Sequence, residues 1–400
     1  MSLHFAKIKS RFGVLHFLII AYWVISYILN ESFYDDYLPT GYMMLLGHCM
    51  CWMWLVVSAG TKKTRIQRLI IIAFLLVVTI VSSFNTRLIN IIDIGILIAV
   101  MDKRDAMPII ERVSIIQIIL IVLIAISSLL GIVRHETFLR SDTATFERNS
   151  LGFKYASYYS NFLLHAVIAF IPAKYNGKKV PVSILFLFAL LSYFGYHYTQ
   201  TKSAFAFTMG CLLLYFMCRF CKRGISDRKI IKVLFTLMFP LAAVGSIALP
   251  YYYDWHNLTW RGLNTILSGR LSLGQEALEQ YSPSMFGQII QWKTAMNGYT
   301  NSSEYFYVDS SYLNILLTYG ILLFIVTVVL FSCYTLYSIK SNNRLLLVSL
   351  ICLCLHSVMD PQLLELGYNT LLLGVVCHEN RHCLLAWPGH QVKRDMANDL

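Results

Sequence analysis

The chain has 400 residues, of which 57% are hydrophobic and only 14% charged; a soluble domain carries about a quarter charged residues. Its apolar residues come in runs close to the 17–25 or so that a helix needs to cross a bilayer, so a water-soluble fold class is excluded. The net charge of +12 then has to be explained on a membrane protein.

Lys7, Lys9 and Arg11 precede an apolar run from Gly13 to Leu29. The run is too long for the apolar part of a signal peptide, and no small-residue cleavage site follows it. It reads as a first transmembrane helix. The apolar runs in chain order are 13–30, 41–60, 69–84, 88–101, 113–133, 155–173, 180–198, 203–220, 230–249, 312–337, 344–359 and 362–378, the third, fourth, eleventh and twelfth being short or interrupted. Backbone open to lipid cannot be satisfied, so these runs must be helical. No repeat of 20–50 residues or so is visible. The expectation is an all-α, polytopic integral membrane protein of about twelve helices, forming one membrane domain over residues 1–400. Its parts are a cytoplasmic N-terminus (1–12), a first larger outer loop (134–154), a long outward-facing loop containing short helices (250–311) and a cytoplasmic tail (379–400).

Sidedness follows from charge. With the N-terminus inside, the inner segments hold most of the 33 Lys and Arg residues, and the outer segments hold an excess of acids. The inner clusters are Lys62-Lys63-Thr64-Arg65, Lys103-Arg104, Lys174 with Lys178-Lys179, and Arg219 through Lys232. Cytoplasmic loops collect Lys and Arg, so the positive balance has a topological cause and implies no nucleic acid. The ten cysteines lie in expected helices or inside, which leaves no outer disulfide framework. Cys49/Cys51 and Cys352/Cys354 are two apart and fall on different helix faces, which argues against a metal site. Sequons at Asn30, Asn257 and Asn301 lie on the outer side.

The long loop has its own pattern. Trp260 to Tyr281 reads as two short helices broken at Ser268-Gly269, with Ser272 and Gln275 fitting a capping box. Leu273, Ala277 and Tyr281 repeat at helical spacing, which suits an amphipathic helix resting on the membrane or the bundle. Arg261 and Arg270 offer planar forks for paired phosphate oxygens; the plainer alternative is two exposed arginines. Gly269 and Gly274 would let backbone approach a ligand. Asp309 is expected to cap the helix that follows, and as a carboxylate it could also take a proton from a hydroxyl nucleophile. Arg148, before the sixth run, and Lys202, in the tight turn Thr199–Ser203, add outer cations. His356 and Asp360 share a helix face at i, i+4. Asp93, inside the fourth run, should face protein rather than lipid. His48 and His165 read as satisfied bundle histidines.

These patches are similar to a known family. Leu263-Asn-Thr-Ile-Leu-Ser-Gly-Arg-Leu-Ser-Leu-Gly274, with Ala277-Leu278, Tyr281 and Phe286-Gly287-Gln288, resembles the long outer loop of bacterial capsule and exopolysaccharide repeat-unit polymerases of the Wzy type. Arg148-Asn-Ser-Leu-Gly-Phe153 resembles an earlier segment of that family. Asp309-Ser-Ser-Tyr-Leu313, followed by Leu317 and Gly320, resembles its Asp-Asn-Ser-Tyr-Leu motif. Ser310 stands where Asn is commoner, and Lys202 where many members have Arg, keeping the charge without the bidentate fork.

The resemblance implies a metal-independent and cofactor-free glycosyltransferase of the bacterial cytoplasmic membrane. Its substrate would be undecaprenyl-diphosphate-linked oligosaccharide, and flippase and chain-length regulator proteins would be its partners beside the lipid bilayer. Arg270, Arg261, Arg148 and Lys202 would bind the diphosphate leaving group. Asp309 is the favoured base, with His356 and Asp360 next and His256 third. An O-antigen-type ligase shares this chemistry and is the nearest alternative. A lipid-linked oligosaccharide flippase is the alternative from another class.

Overall fold

A computed structural model describes residues 11–61, 66–139, 147–220, 229–294 and 305–378. Its helices are α1 (Arg11–Asn30), α2 (Thr40–Thr61), α3 (Ile66–Thr86), α4 (Asn90–Val100), α5 (Lys103–Leu129), α6 (Tyr158–Lys174), α7 (Val182–Thr199), α8 (Lys202–Cys218), α9 (Lys229–Thr236), α10 (Met238–Tyr251), α11 (Leu258–Ile266), α12 (Arg270–Gln280), α13 (Ser311–Asn314), α14 (Ile321–Lys340) and α15 (Arg344–His356). A 3-10 helix, Thr370–His378, ends the described chain. The segment expected as the first outer loop departs from the all-α expectation. It forms a two-stranded antiparallel ribbon, β1 (Thr137–Leu139) on β2 (Glu147–Asn149), with Phe138 opposite Arg148. The expected cytoplasmic N-terminus (1–12, save its last two residues) and tail (379–400), the sequon at Asn301, the basic cluster at 62–65 and residues 221–228 of the Arg219–Lys232 cluster lie outside the described residues.

Among the described residues, six helices are long and apolar enough to cross a membrane, or seven if α9 and α10, bent by 46°, are one span. The remaining apolar runs separate into a different class. α4 is only 11 residues long, and its residues from Ile91 to Val100 are all buried. α6 is buried from Tyr159 to Pro172, and α15 from Leu345 to Cys354 with few breaks. Short apolar helices of this kind are typical of protein-covered interiors. By contrast α2, only 22% buried over its apolar window, carries exposed Leu45, Val56 and Val57. The interior is built from α1, α5, α6, α8, α15 and the 3-10 helix, with the more exposed spans around it.

The twelfth expected run, 362–378, is not an α-helix. Residues 357–369 form turns and only Thr370–His378 coils, as a 3-10 helix. Side chains satisfy the carbonyls that a helix would have paired. Gln117 of α5 donates to Gly367 O at 2.7 Å and Tyr368 O at 3.2 Å, and Asn369 donates to Leu363 O at 2.7 Å. Gly367 lies against the Tyr27 ring, where a side chain would collide.

The tenth expected run is also interrupted. α13 passes into a π-helical turn (Ile315–Tyr319), which stops at Gly320 with φ +93. The long loop plugs this break. Gln288 N donates to Thr318 O at 3.0 Å, Ile321 N to Ser284 O at 2.9 Å, and Leu322 N to Met285 O at 3.1 Å. Gly287, also at positive φ, faces Gly320 so closely that neither could carry a side chain. Beyond this anchor, Ala277, Phe306, Val308, Leu313 and Leu317 form a small second core that docks α12 onto α10 and α13. Gly274 belongs to that docking and not to a ligand approach: an added Cβ would lie 2.9 Å from Pro250 and 3.2 Å from Leu313.

Candidate active site

The expected break between the two short loop helices is present, and it sets the position of Arg270. Ser268 (φ +56) and Gly269 (φ +84) both adopt left-handed backbone, which turns the chain sharply between α11 and α12. The expected capping box does not form. α12 starts at Arg270, three residues earlier than that pattern requires, so Ser272 donates to Gly269 O and Gln275 donates to Tyr253 O. The cap is Asn264 instead. Its Oδ1 accepts from Leu271 N at 3.0 Å and Ser272 N at 3.2 Å, and its Nδ2 donates to Ser272 Oγ.

Held in the first turn of α12, the Arg270 guanidinium donates to Met359 O at 3.1 Å and Leu267 O at 3.1 Å, and lies 3.2 Å from Asp309 Oδ2. A cation at a helix N-terminus opposes the helix dipole, and the carboxylate and carbonyls offset that cost. Asp309 therefore does not cap α13. Ser310 occupies the cap position without a side-chain bond, and Asp309 turns to Arg270. Ser311 ties the start of α13 to the turn segment: its N donates to Ser357 O at 2.9 Å and its Oγ to Asp360 O, while Leu363 N donates to its Oγ at 3.1 Å.

The second pair joins the same place. His356 Nε2 lies 3.1 Å from Asp360 Oδ2, outside the alignment of a good hydrogen bond. Asp360 Oδ1 accepts from Asn161 Nδ2 of α6 at 3.0 Å. Asp360 lies close enough to disfavour charge on Asp309. Burial pushes Asp309 up, to about 6, with Asp360 raising it further and Arg270 holding it down. Burial also lifts the Tyr307 phenol, beside Asp309, Glu365 and Asp360.

Four of the expected site residues, Arg270, Asp309, His356 and Asp360, are thus brought together. Arg148 and Lys202 meet at a neighbouring point. Arg148 donates to Thr199 O at 2.8 Å and Thr201 Oγ1 at 3.3 Å, so it braces the turn that carries exposed Lys202. Its guanidinium also lies 6.0 Å from the Tyr155 ring. Arg261 is not gathered in. It is exposed on α11, and no ion pair or hydrogen bond of its side chain with the site is seen among the described residues. His256 is exposed and accepts from the neighbouring Trp255 indole at 2.8 Å. His48 and Asp93 pair with each other in the bundle, Asp93 being fully buried and also accepting from Trp23 Nε1 at 2.8 Å. His165 packs edge-on to His356 with ring centroids 5.4 Å apart.

Sequence reasoning missed Asn161, Tyr307, Glu31 and Glu365. Glu365 had a signal, because it is the lone charged residue in the apolar run 362–378. The other three had none, since their importance comes from which segments meet. No protein-family model, no curated protein and no solved structure matches the chain.

Proposed function

We propose that the protein joins oligosaccharide repeat units carried on undecaprenyl diphosphate, at the outer face of a bacterial cytoplasmic membrane, in capsule or exopolysaccharide synthesis. The observation that supports this reading is the Arg270–Asp309 pair beside Asp360 and His356, in the segments that resemble the Wzy-type polymerases. The transfer needs a cation for a leaving diphosphate and a base for an attacking hydroxyl. Arg270 and Asp309 supply one of each at 3.2 Å.

In this reading an acceptor hydroxyl oxygen forms a bond to the anomeric carbon of the donor. The bond from that carbon to the diphosphate breaks, and its electron pair leaves with the lipid diphosphate. The hydroxyl proton passes to Asp309, whose pKa of about 6 leaves it mainly ionised near neutral pH. Diphosphate arriving at Arg270 competes with Asp309 for the guanidinium and frees the carboxylate to take that proton. Arg148, which braces the adjacent turn from β2, and Lys202, on that turn, add positive charge on the path of the diphosphate. The finer topology belongs to the same proposal. The short interior helices and the final 3-10 segment complete about twelve passes, the termini are cytoplasmic, and the long loop faces outward.

The test is polymer length. Wild-type protein in liposomes containing lipid-linked repeat units should yield a ladder of chains, and Arg270→Ala or Asp309→Asn should reduce elongation by about a hundredfold or more. Normal ladders from both variants at equal protein level would exclude the assignment. Cells lacking the protein should accumulate single repeat units; unattached long polymer would instead identify a ligase.

A further inference from the structure

Beside the Arg270–Asp309 pair stands a second group of side chains that the transfer step does not use. Glu365, on the turn segment, accepts from the Tyr27 hydroxyl at 3.1 Å. Glu31, just beyond α1, bonds Tyr158 and lies within electrostatic reach of Glu365. Both carboxyls are part-buried. Burial raises both, Glu365 to about 7, while Lys154 opposes the rise at Glu31 and Tyr27 opposes it at Glu365.

An arc of part-exposed rings runs from these carboxyls to the transfer pair. Tyr155 and Tyr158 come from the entry to α6, and Trp292, Tyr305 and Tyr307 from the long loop. Tyr155 and Tyr158 have ring centroids 5.9 Å apart, and Trp292 and Tyr307 5.3 Å apart. Tyr305 bridges the halves, being a close neighbour of Tyr155, Tyr307 and Asp309. Tyr307 in turn neighbours Asp309, Asp360 and Glu365.

This surface has the wrong charge for a diphosphate. Glu31 and Glu365 are acceptors when ionised, have no arginine beside them among the described residues and would repel phosphate. A lipid tail is equally ill-suited, because the rings carry hydroxyl tips and alternate with carboxyls. The combination suits a sugar: an aromatic face covers the C–H side of a pyranose, and a carboxylate accepts from neighbouring hydroxyls. We infer that Glu31, Glu365 and the Tyr155–Tyr158–Tyr305–Tyr307–Trp292 arc form a glycan subsite, which lays the hydroxyl-rich rings of the acceptor beside Asp309. The naming of this glycan as the acceptor rests on the transfer proposed above; the binding of a glycan here does not.

The experiment measures two probes on the full-length protein in nanodiscs. One is the water-soluble glycan released by mild acid from the lipid-linked repeat unit of the producing cells. The other is farnesyl diphosphate, which carries the headgroup without sugar. Tyr305→Ala and Glu365→Gln should each weaken glycan binding about tenfold or more and leave farnesyl diphosphate binding unchanged. Tyr305→Phe should keep most of the glycan affinity, and Arg270→Ala should show the opposite selectivity. Unchanged glycan affinity in Tyr305→Ala and Glu365→Gln, or equal loss for both probes, would overturn the subsite. Tyr305 is part-exposed, so its variants decide the matter even where Glu365→Gln does not reach the membrane. If the glycan binds as expected but wild-type protein makes no polymer, the subsite stands and the transfer reading fails.

Discussion

Asp309 is pulled in two directions. Burial and the neighbouring Asp360 disfavour its charge, and Arg270 favours it, with a net result of about 6 against the usual 3.8 or so. Two consequences follow with opposite signs. A base must be ionised, so elongation should rise with pH through about 6 and level off above it. The folded protein holds this proton at pH values where the unfolded chain has released it. The stability gained at low pH is therefore lost as pH climbs from about 4 through 6. Asp309→Asn should abolish elongation, yet melt above wild type at about pH 7.5, with the difference closing toward about pH 4. Elongation measured across the pH range and a melting series on both proteins check this; a flat rate profile, or a variant less stable near neutral pH, counts against it. Arg270 makes a separate prediction. Its fork spans Leu267 O, Met359 O and Asp309 at once, which a lysine ammonium cannot do. Arg270→Lys should keep the charge and still lose about ten- to a hundredfold in kcat/KM.

At the scale of elements, the loop break at Ser268-Gly269 could be read from sequence because left-handed backbone leaves a compositional mark. The cap could not. The capping-box pattern pointed to Ser272 and Gln275, but Asn264 reaches across from α11 and takes both amides. Its own helix gives no hint of that role. The same limit explains Asp309. Its sequence position suited an N-cap, and only the packing of α12 against α10 and α13 brings Arg270 close enough to claim it. The His356–Asp360 pair could be read because it lies within one turn. Asn161, which fixes Asp360 from a distant helix, could not. Asn264→Ala leaves two amides of the first turn of α12 without an acceptor, a cost of about 1–2 kcal/mol. Its expected signature is faster hydrogen exchange at Leu271 and Ser272 together with reduced elongation, since Arg270 sits in that turn. Unchanged exchange at those amides would show that α12 is held by its docking alone.

Over the whole molecule, length and burial sort the helices by task. The long apolar helices include those with open outer faces, such as α2, whereas short α4, α6 and α15 are covered by protein. Hydropathy treats both kinds alike, so the fold class was legible, while length marks six of the described helices, or seven with α9 and α10 joined, as long and apolar enough to cross. The interior helices can carry polar groups that lipid-facing ones cannot: Asn161 lies on α6, His356 on α15 and Asp93 on α4. Charge adds the direction. Lys174 pairs with buried Glu111 at 2.7 Å near the C-terminal end of α6, beside the basic 174–179 segment, while the acidic site gathers near the start of that helix. Exposed Tyr251, the last residue of α10, and Tyr252 and Trp255 just after it lie at that end, as aromatic residues do at a membrane interface. The two ends should therefore face opposite compartments. In a cysteine-free background, Glu279→Cys on α12 should react with a membrane-impermeant maleimide in intact cells. Asn176→Cys, beyond α6, should react only after lysis. Both positions are exposed in the fold, so failure to label reports sidedness and not burial. Labelling of Asn176→Cys alone in intact cells would place the site on the cytoplasmic face, where outward polymer growth could not start from it.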